Sequence, residues 1–245
     1  MKKEIDNIVN WVKSYPGKSY VIGLSGGVDS SAVCGIAVES VGVDNVFGII
    51  MPSINHHGDD VKDAISVAKH YGINYHIHSI RDMYNMVLLD TDHGMRLCDI
   101  TKGNIQARLR MTILRMYAEL FGSLVIGTTN KSEDLLGYFT KGGDGGSGVD
   151  IEPLADYYKS EIIEIAKYFK LPDNLVNRTP SAGLWDNQTD EEELGFTYDD
   201  FENYWKWKSN EIGKNPVSNT ITDKIIHLHK ITEHKRNTPP KYERK

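Results

Sequence analysis

Gly23-Leu-Ser-Gly-Gly-Val-Asp-Ser30 puts three glycines, two serines and a carboxylate into one short segment. The apolar run Tyr20-Val-Ile-Gly-Leu24 enters it, and a helix-forming run from Asp29 to Val41 leaves it. Strand, glycine turn and helix together make an anion site. Glycines bend tightly and bring backbone N–H groups close to a ligand. The new helix adds unpaired donors and the positive end of its dipole. Ser25, Ser30 and Ser31 add hydroxyls. The chemistry expected here is phosphate binding. Asp29 would repel a phosphate unless a cation lay between them, so it points to Mg²⁺. The plainer reading of Asp29 is an acid capping its helix.

The segment is not a Walker A loop, because the Gly-Lys-Ser/Thr ending is missing. Gly-x-Gly-x-x-Gly does not fit either. Gly23-x-Ser25-x-Gly27 does match the nucleophile elbow of α/β-hydrolases, with Ser25 as nucleophile. That reading leaves Asp29 unexplained and lacks the earlier strands and the His-Gly-Gly-Gly segment that accompany such elbows. A non-catalytic ATP-sensing module is a further alternative.

Strand and helix signals alternate along the chain. A leading helix is expected over 4–14, then the first strand and its helix. Asn45–Met51 reads as a buried strand ended by Pro52. Val61, Ala64, Ile65, Ala68 and Tyr71 form a helical stripe stopped by Gly72. Ile73–Ile80 reads as a third strand, 90–99 as loop. Ile105, Leu109, Ile113, Met116 and Leu120 mark one face of a long helix closed by Gly122; Leu124–Gly127 is a fourth strand. The pattern predicts an α/β fold, a doubly wound parallel sheet with helices on both faces, in one domain over 1–245. Gly137–Val149 is too rich in glycine for regular structure, and Arg178–Glu193 is a second polar loop; both are expected lids. Helices are expected from Lys159 and over 198–210 and 219–234, with a loose tail over about 237–245.

In such sheets ligands bind at the carboxyl ends of strands where the strand order reverses. Strands one and four are neighbours there in the common order. The glycine loop would then meet Gly127-Thr-Thr-Asn-Lys-Ser-Glu133. Asp29 and Glu133 could share a Mg²⁺, with Thr128 at the rim; a solvated first-turn acid is the alternative for Glu133. Lys159 opens a helix, against the dipole, which suggests an anionic partner such as phosphate. Arg108 and Arg110 point to nearly opposite sides of one helix, so one at most should face a ligand. His234-Lys-Arg236 ends a helix, where cations are favoured anyway. His76 and His78 share a strand face and read as structural, His56-His57 as loop, and Cys34 as a small core residue.

Composition sets the outer limits. With 40% hydrophobic and 25% charged residues, the chain reads as globular. A net charge of −6 opposes a broad nucleic-acid surface. No apolar run spans a membrane, no signal-peptide core opens the chain, and two cysteines make no disulfide framework. A cytoplasmic enzyme is expected.

Ser25-Gly-Gly-Val-Asp-Ser30 resembles the pyrophosphate loop of the N-type ATP pyrophosphatases, which cleave ATP between its α and β phosphates. Lys102–Met111, Gly127–Glu133, Phe139–Gly146, Tyr158–Ser160 and Pro180–Gln188 follow in order. The ordered set is similar to the ammonia-dependent NAD synthetases over nearly the whole chain. The resemblance implies an adenine-nucleotide alpha-hydrolase-like (Rossmann-like) fold. It implies adenylation of the nicotinate carboxylate of deamido-NAD and amidation by free ammonia, releasing NAD, AMP and pyrophosphate. It assigns Gly23, Leu24, Ser25, Gly26, Gly27, Val28, Asp29, Ser30, Thr128, Lys159 and Ser181 to ATP, and Asp29 and Glu133 to Mg²⁺. It assigns Arg108, Lys141, Asp150, His234 and Lys235 to deamido-NAD, and Asp144 with Lys159 to the chemistry. It implies a homodimer, to which Trp205, Trp207 and the C-terminal helices could contribute. It also implies no attached amidase domain, and neither nucleic acid nor membrane as partner.

Overall fold

The computed structural model describes residues 1–53, 58–90, 97–179, 181 and 189–243. In chain order the elements are α1 (Lys2–Ser14), β1 (Tyr20–Gly23), α2 (Val28–Val41), β2 (Val46–Ile50), α3 (Gly58–Tyr71), β3 (Asn74–Ile77), α4 (Arg81–Asp90) and α5 (Asp99–Phe121). There follow β4 (Leu124–Val125), α6 (Lys131–Leu136), α7 (Lys159–Tyr168), α8 (Asp173–Val176), α9 (Asp190–Leu194), α10 (Tyr198–Lys208), α11 (Asn219–Ile231) and α12 (Glu233–Arg236). The strands form one parallel sheet in the order β3-β2-β1-β4. The expected neighbour relation of strands one and four is therefore present.

Alternation along β1 explains the layers. Tyr20 and Ile22 face a core shared with α1, α2 and α7, while Val21 faces Met111, Leu114 and Tyr117 of α5. α2 is buried nearly all round, from Val28 to Ser40. Gly35 lets this happen: a Cβ there would stand 2.6 Å from the Tyr71 hydroxyl and 2.8 Å from the Phe169 ring. A third, smaller core joins Leu136, Tyr158, Phe196, Phe201, Tyr204 and Ile225 beside the sheet.

Several expectations shift. β3 is shorter than 73–80 and is an exposed sheet edge. β4 covers two residues; Ile126 continues it only as a bridge to Ile151. α4 lies where no element was expected, and Asp90 and Asp99, taken as loop, belong to α4 and α5; 91–96 lie outside the described residues. The end of the second polar loop is helical, because Thr189 caps α9 through Glu192 N–H. Thr232 splits the expected 219–234 helix, its hydroxyl donating to Leu136 O and Leu228 O.

The largest correction concerns α5. Its core stripe is Ala107, Met111, Leu114 and Ala118, with Ile113 and Tyr117. Of the expected face, only Ile113 is buried; Met116 and Leu120 are exposed, and Ile105 and Leu109 are half-buried. The helix carries two apolar stripes, and the sheet takes one.

Candidate functional site

The glycine loop and the β4–α6 turn meet at the carboxyl end of the sheet, around a cleft of about 280 Å³. Gly26 takes φ +80° where the loop crosses α3, and a Cβ there would meet Asp60 O at 2.8 Å. Gly27 begins α2 without any side-chain cap, leaving the helix end to the cleft. The serines fix the loop's shape. Ser25 Oγ accepts from Gly27 N at 3.1 Å, and Ser30 and Ser31 hydroxyls donate to Gly27 O at 3.1 and 2.7 Å. Ser25 Oγ also meets Ser30 Oγ at 3.1 Å. Among the described residues no histidine lines the cleft, so the hydrolase reading lacks a base for Ser25.

Asn130, Glu133 and Lys159 complete a charged cluster with Asp29. Asn130 caps α6 in a reciprocal box with Glu133, and its Nδ2 donates to Asp29 Oδ1 at 2.9 Å. Lys159 Nζ lies 2.5 Å from Asp29 Oδ2 and 3.5 Å from Glu133 Oε1, with the ammonium buried. Its anionic partners within the fold are thus carboxylates, where the sequence suggested a phosphate. Glu133 is not a solvated acid. Burial raises its pKa, Lys159 opposes the rise, and Asp29 and Asp190 add to it. The Lys159 pKa is raised by Asp29 and Glu133 against the effect of burial. Tyr198 places its ring 5.7 Å from Lys159 Nζ and donates its hydroxyl to Asp190 at 3.0 Å.

The glycine-rich segment is folded inward. Asp144 Oδ1 accepts from Thr140 N at 2.7 Å, and Gly146 N donates to Glu152 at 3.2 Å. Asp144 opens onto the cleft. Enclosure by the cleft walls raises its pKa, while the Thr140 N–H, Arg110 and Lys235 lower it. This shift is screened while the cleft holds water. Lys235 donates to Gly137 O and Phe139 O at 2.7 and 2.8 Å, and Lys141 to His234 O at 2.7 Å. α12 thereby clamps the segment.

Gly23, Leu24, Ser25, Gly27, Val28, Asp29, Ser30, Thr128, Glu133, Asp144, Lys159 and Ser181 all line the cleft. Gly26 does not; it turns against α3. Arg108, Lys141, Asp150, His234 and Lys235 lie outside it. Arg108 reaches Lys141 O at 3.4 Å, so Arg108, Lys141, His234 and Lys235 gather around the glycine-rich segment. Asp150 stands apart. It binds Arg115 at 2.7 and 2.9 Å and accepts from Val125 N at 2.7 Å. Asp150→Ala leaves the Val125 N–H without its acceptor and removes the carboxylate partner of Arg115, which keeps Gly148 O, and is expected to lower stability by about 1–3 kcal/mol in thermal melts. A loss of acceptor affinity at unchanged stability would contradict this structural role.

Arg110, weighed against Arg108 and set aside, lines the cleft, as do Arg178 and Asp190, which the sequence did not single out. Arg110 donates to Met51 O at 3.2 Å, and Arg178 pairs with Asp60 and, at 3.2 Å, with Asp63. Arg110 follows from the true phase of α5, since it flanks Ala107 and Leu114; Arg178 and Asp190 sit in a polar run without a period. His78 meets the Tyr117 hydroxyl at 3.2 Å beside His76, and burial pushes the Cys34 thiol up to about 12. His76 and His78 thus pack around Tyr117 at the sheet edge, and Cys34 lies in the core. His56 and His57 lie outside the described residues.

Comparison with known proteins agrees with this arrangement. The family model described as NAD synthase matches residues 1–239. The NH3-dependent NAD(+) synthetase of Pyrococcus furiosus is 39% identical, covering 97% of this chain and 93% of the relative. That of Methanococcoides burtonii is 46% identical, over 73% of this chain and 67% of the relative. Among solved structures, an NMN synthetase from Francisella tularensis has a TM-score of 0.89 at 37% identity, covering 98% of each chain. An NH3-dependent NAD synthetase from Campylobacter jejuni has a TM-score of 0.80 at 28% identity, covering 99% of this chain and 97% of that one. The phosphate-loop cleft, the α/β sheet behind it and a match over nearly the full length place this chain in the NAD synthase family.

Proposed function

We propose that this protein makes NAD by ATP-dependent amidation of deamido-NAD with free ammonia. The observation that carries the reading is one cleft in which the glycine loop, Thr128, Asp144, Lys159 and Ser181 face each other, in a chain of this family. The acceptor carboxylate attacks the α-phosphorus of ATP, and pyrophosphate leaves. Ammonia attacks the resulting acyl carbon, the bond to AMP breaks, and the nitrogen loses a proton. The loop N–H groups, the α2 N-terminus and Lys159 hold the phosphate charge as it builds. Asp144, next to Arg110 and Lys235, attracts an ammonium ion and takes its proton, because only neutral ammonia is nucleophilic. Arg108, Lys141, His234 and Lys235 form the basic surface for the acceptor dinucleotide.

Asp29 and Glu133 fit a divalent cation: both carboxylates already converge on one buried ammonium. Mg²⁺ held there would neutralise the phosphates and stabilise the departing pyrophosphate.

The second stripe of α5 supports a homodimer. Met116 and Leu120 lie four residues apart on one face, 43% and 70% exposed, and Met86 and Leu89 of the packed neighbour α4 are also exposed. A second copy of this chain would cover them. Trp205 is engaged within the chain, stacked on Phe201 and against His229. Met116→Glu with Leu120→Glu is expected to shift sedimentation from dimer to monomer; an unchanged dimer would move the interface elsewhere.

The Francisella tularensis relative, named an NMN synthetase, favours a second reading that changes only the acceptor, to the mononucleotide acid. Parallel assays with deamido-NAD and nicotinate mononucleotide, following amide, AMP and pyrophosphate, decide between them. The reading above predicts the larger kcat/KM for deamido-NAD. A larger value for the mononucleotide would reassign the acceptor, and no amide from either would reject the synthetase reading.

A further inference from the structure

Lys159 fills the place that a shared metal would take. Its Nζ is 2.5 Å from Asp29 Oδ2 and 3.5 Å from Glu133 Oε1. Asn130 holds the other two oxygens, through Nδ2 to Asp29 Oδ1 at 2.9 Å and through its backbone N to Glu133 Oε2 at 3.4 Å. All four carboxylate oxygens thus have a donor from this chain. Mg²⁺ needs oxygen ligands at about 2.0–2.1 Å in near-octahedral geometry. It cannot reach Asp29 Oδ2 and Glu133 Oε1 while an ammonium lies between them, and two cations so close in a buried cluster repel. The Tyr198 ring flanks the ammonium.

We infer that Lys159 is an exchangeable counter-cation that keeps the metal site closed until nucleotide arrives. The ammonium sits on a flexible four-carbon stem, so it can change partners without backbone movement. The glycine loop borders the same cleft, and phosphates bound there offer the ammonium new anionic partners. Leaving Asp29 and Glu133, it uncovers two carboxylates that then take the divalent cation. Metal therefore enters with or after nucleotide, and not alone. The inference rests on the Mg²⁺ assignment to Asp29 and Glu133.

Mn²⁺ is the probe, measured by electron paramagnetic resonance and calorimetry on the full chain. With a non-hydrolysable ATP analogue, the wild type should bind Mn²⁺, and Asp29→Asn should lose it. Failure of that arm overturns the metal assignment and the inference with it. Without nucleotide, Lys159→Gln should bind Mn²⁺ about tenfold or more tightly than the wild type. Equal affinity with the first arm intact overturns the inference and leaves the assignment standing. A measurement on the wild type guards against a misfolded variant. The ¹⁵N-lysine ammonium resonance of Lys159 should move on adding the analogue without metal and stay unchanged with Mg²⁺ alone. Movement with Mg²⁺ alone overturns the inference.

Discussion

Lys159→Met is expected to lower kcat for amide formation by up to about three orders of magnitude, with little change in overall fold. The ammonium lies against Asp29 of the glycine loop, and a methionine of similar length supplies no charge to the α-phosphate as pyrophosphate leaves. The same change leaves Asp29, Glu133 and Asp190 facing one another. Removing one partner of a buried ion cluster costs about 3–5 kcal/mol. Thermal melts of the nucleotide-free protein should show that loss, partly recovered by Mn²⁺ in the variant alone. A variant that kept its kcat would take Lys159 out of the chemistry.

Glu133→Gln should do the opposite to stability while still harming activity. Burial and the neighbouring Asp29 and Asp190 push the Glu133 pKa up from 4.5 toward about 8. The sign follows from linkage. A carboxyl whose folded pKa is raised contributes stability that is full below its unfolded value and is lost as pH rises through the folded value. At pH 8 and above the ionised Glu133 weighs against the fold, and at about pH 5 it does not. Glutamine removes the charge and keeps one acceptor oxygen, which serves either Lys159 or the Asn130 N–H. Glu133→Gln is therefore expected to gain about 1 kcal/mol in melts near pH 8 and little near pH 5. Its turnover should fall by about 100-fold or more, because the proposed Mg²⁺ site loses one of its two carboxylates. A variant less stable than the wild type at both pH values would mean that Glu133 is a net stabilising charge.

The glycine loop could be read from the chain because its chemistry is local: glycines, serines and Asp29 lie within eight consecutive residues. The meeting of that loop with Glu133 followed from strand order, which periodicity and the handedness of parallel crossovers constrain. The partners of Lys159 did not follow. Asp29 is 130 residues away in sequence, and nothing local distinguishes a phosphate from a carboxylate as the anion that a lysine meets. The partner of Asp150 was hidden for a similar reason, since its bond to Arg115 forms only once α5 has packed beside the chain that follows the glycine-rich segment. α5 shows how periodicity can mislead. Ile105, Leu109, Met116 and Leu120 keep a helical spacing as good as Ala107, Met111, Leu114 and Ala118, and only the sheet decides which stripe is covered. In α4 the near-continuous run Met86-Val-Leu-Leu89 hides the period altogether.

In the proposed reaction the acceptor's own carboxylate takes the adenylyl group. Deamido-NAD labelled with ¹⁸O in both carboxylate oxygens tests it directly, with ATP, Mg²⁺ and ammonium and mass analysis of the products. Adenylation predicts one ¹⁸O in the amide of NAD, one in AMP, and none in pyrophosphate. Label in inorganic phosphate with formation of ADP, or unlabelled AMP beside labelled pyrophosphate, would contradict attack at the α-phosphorus and the role given to this cleft.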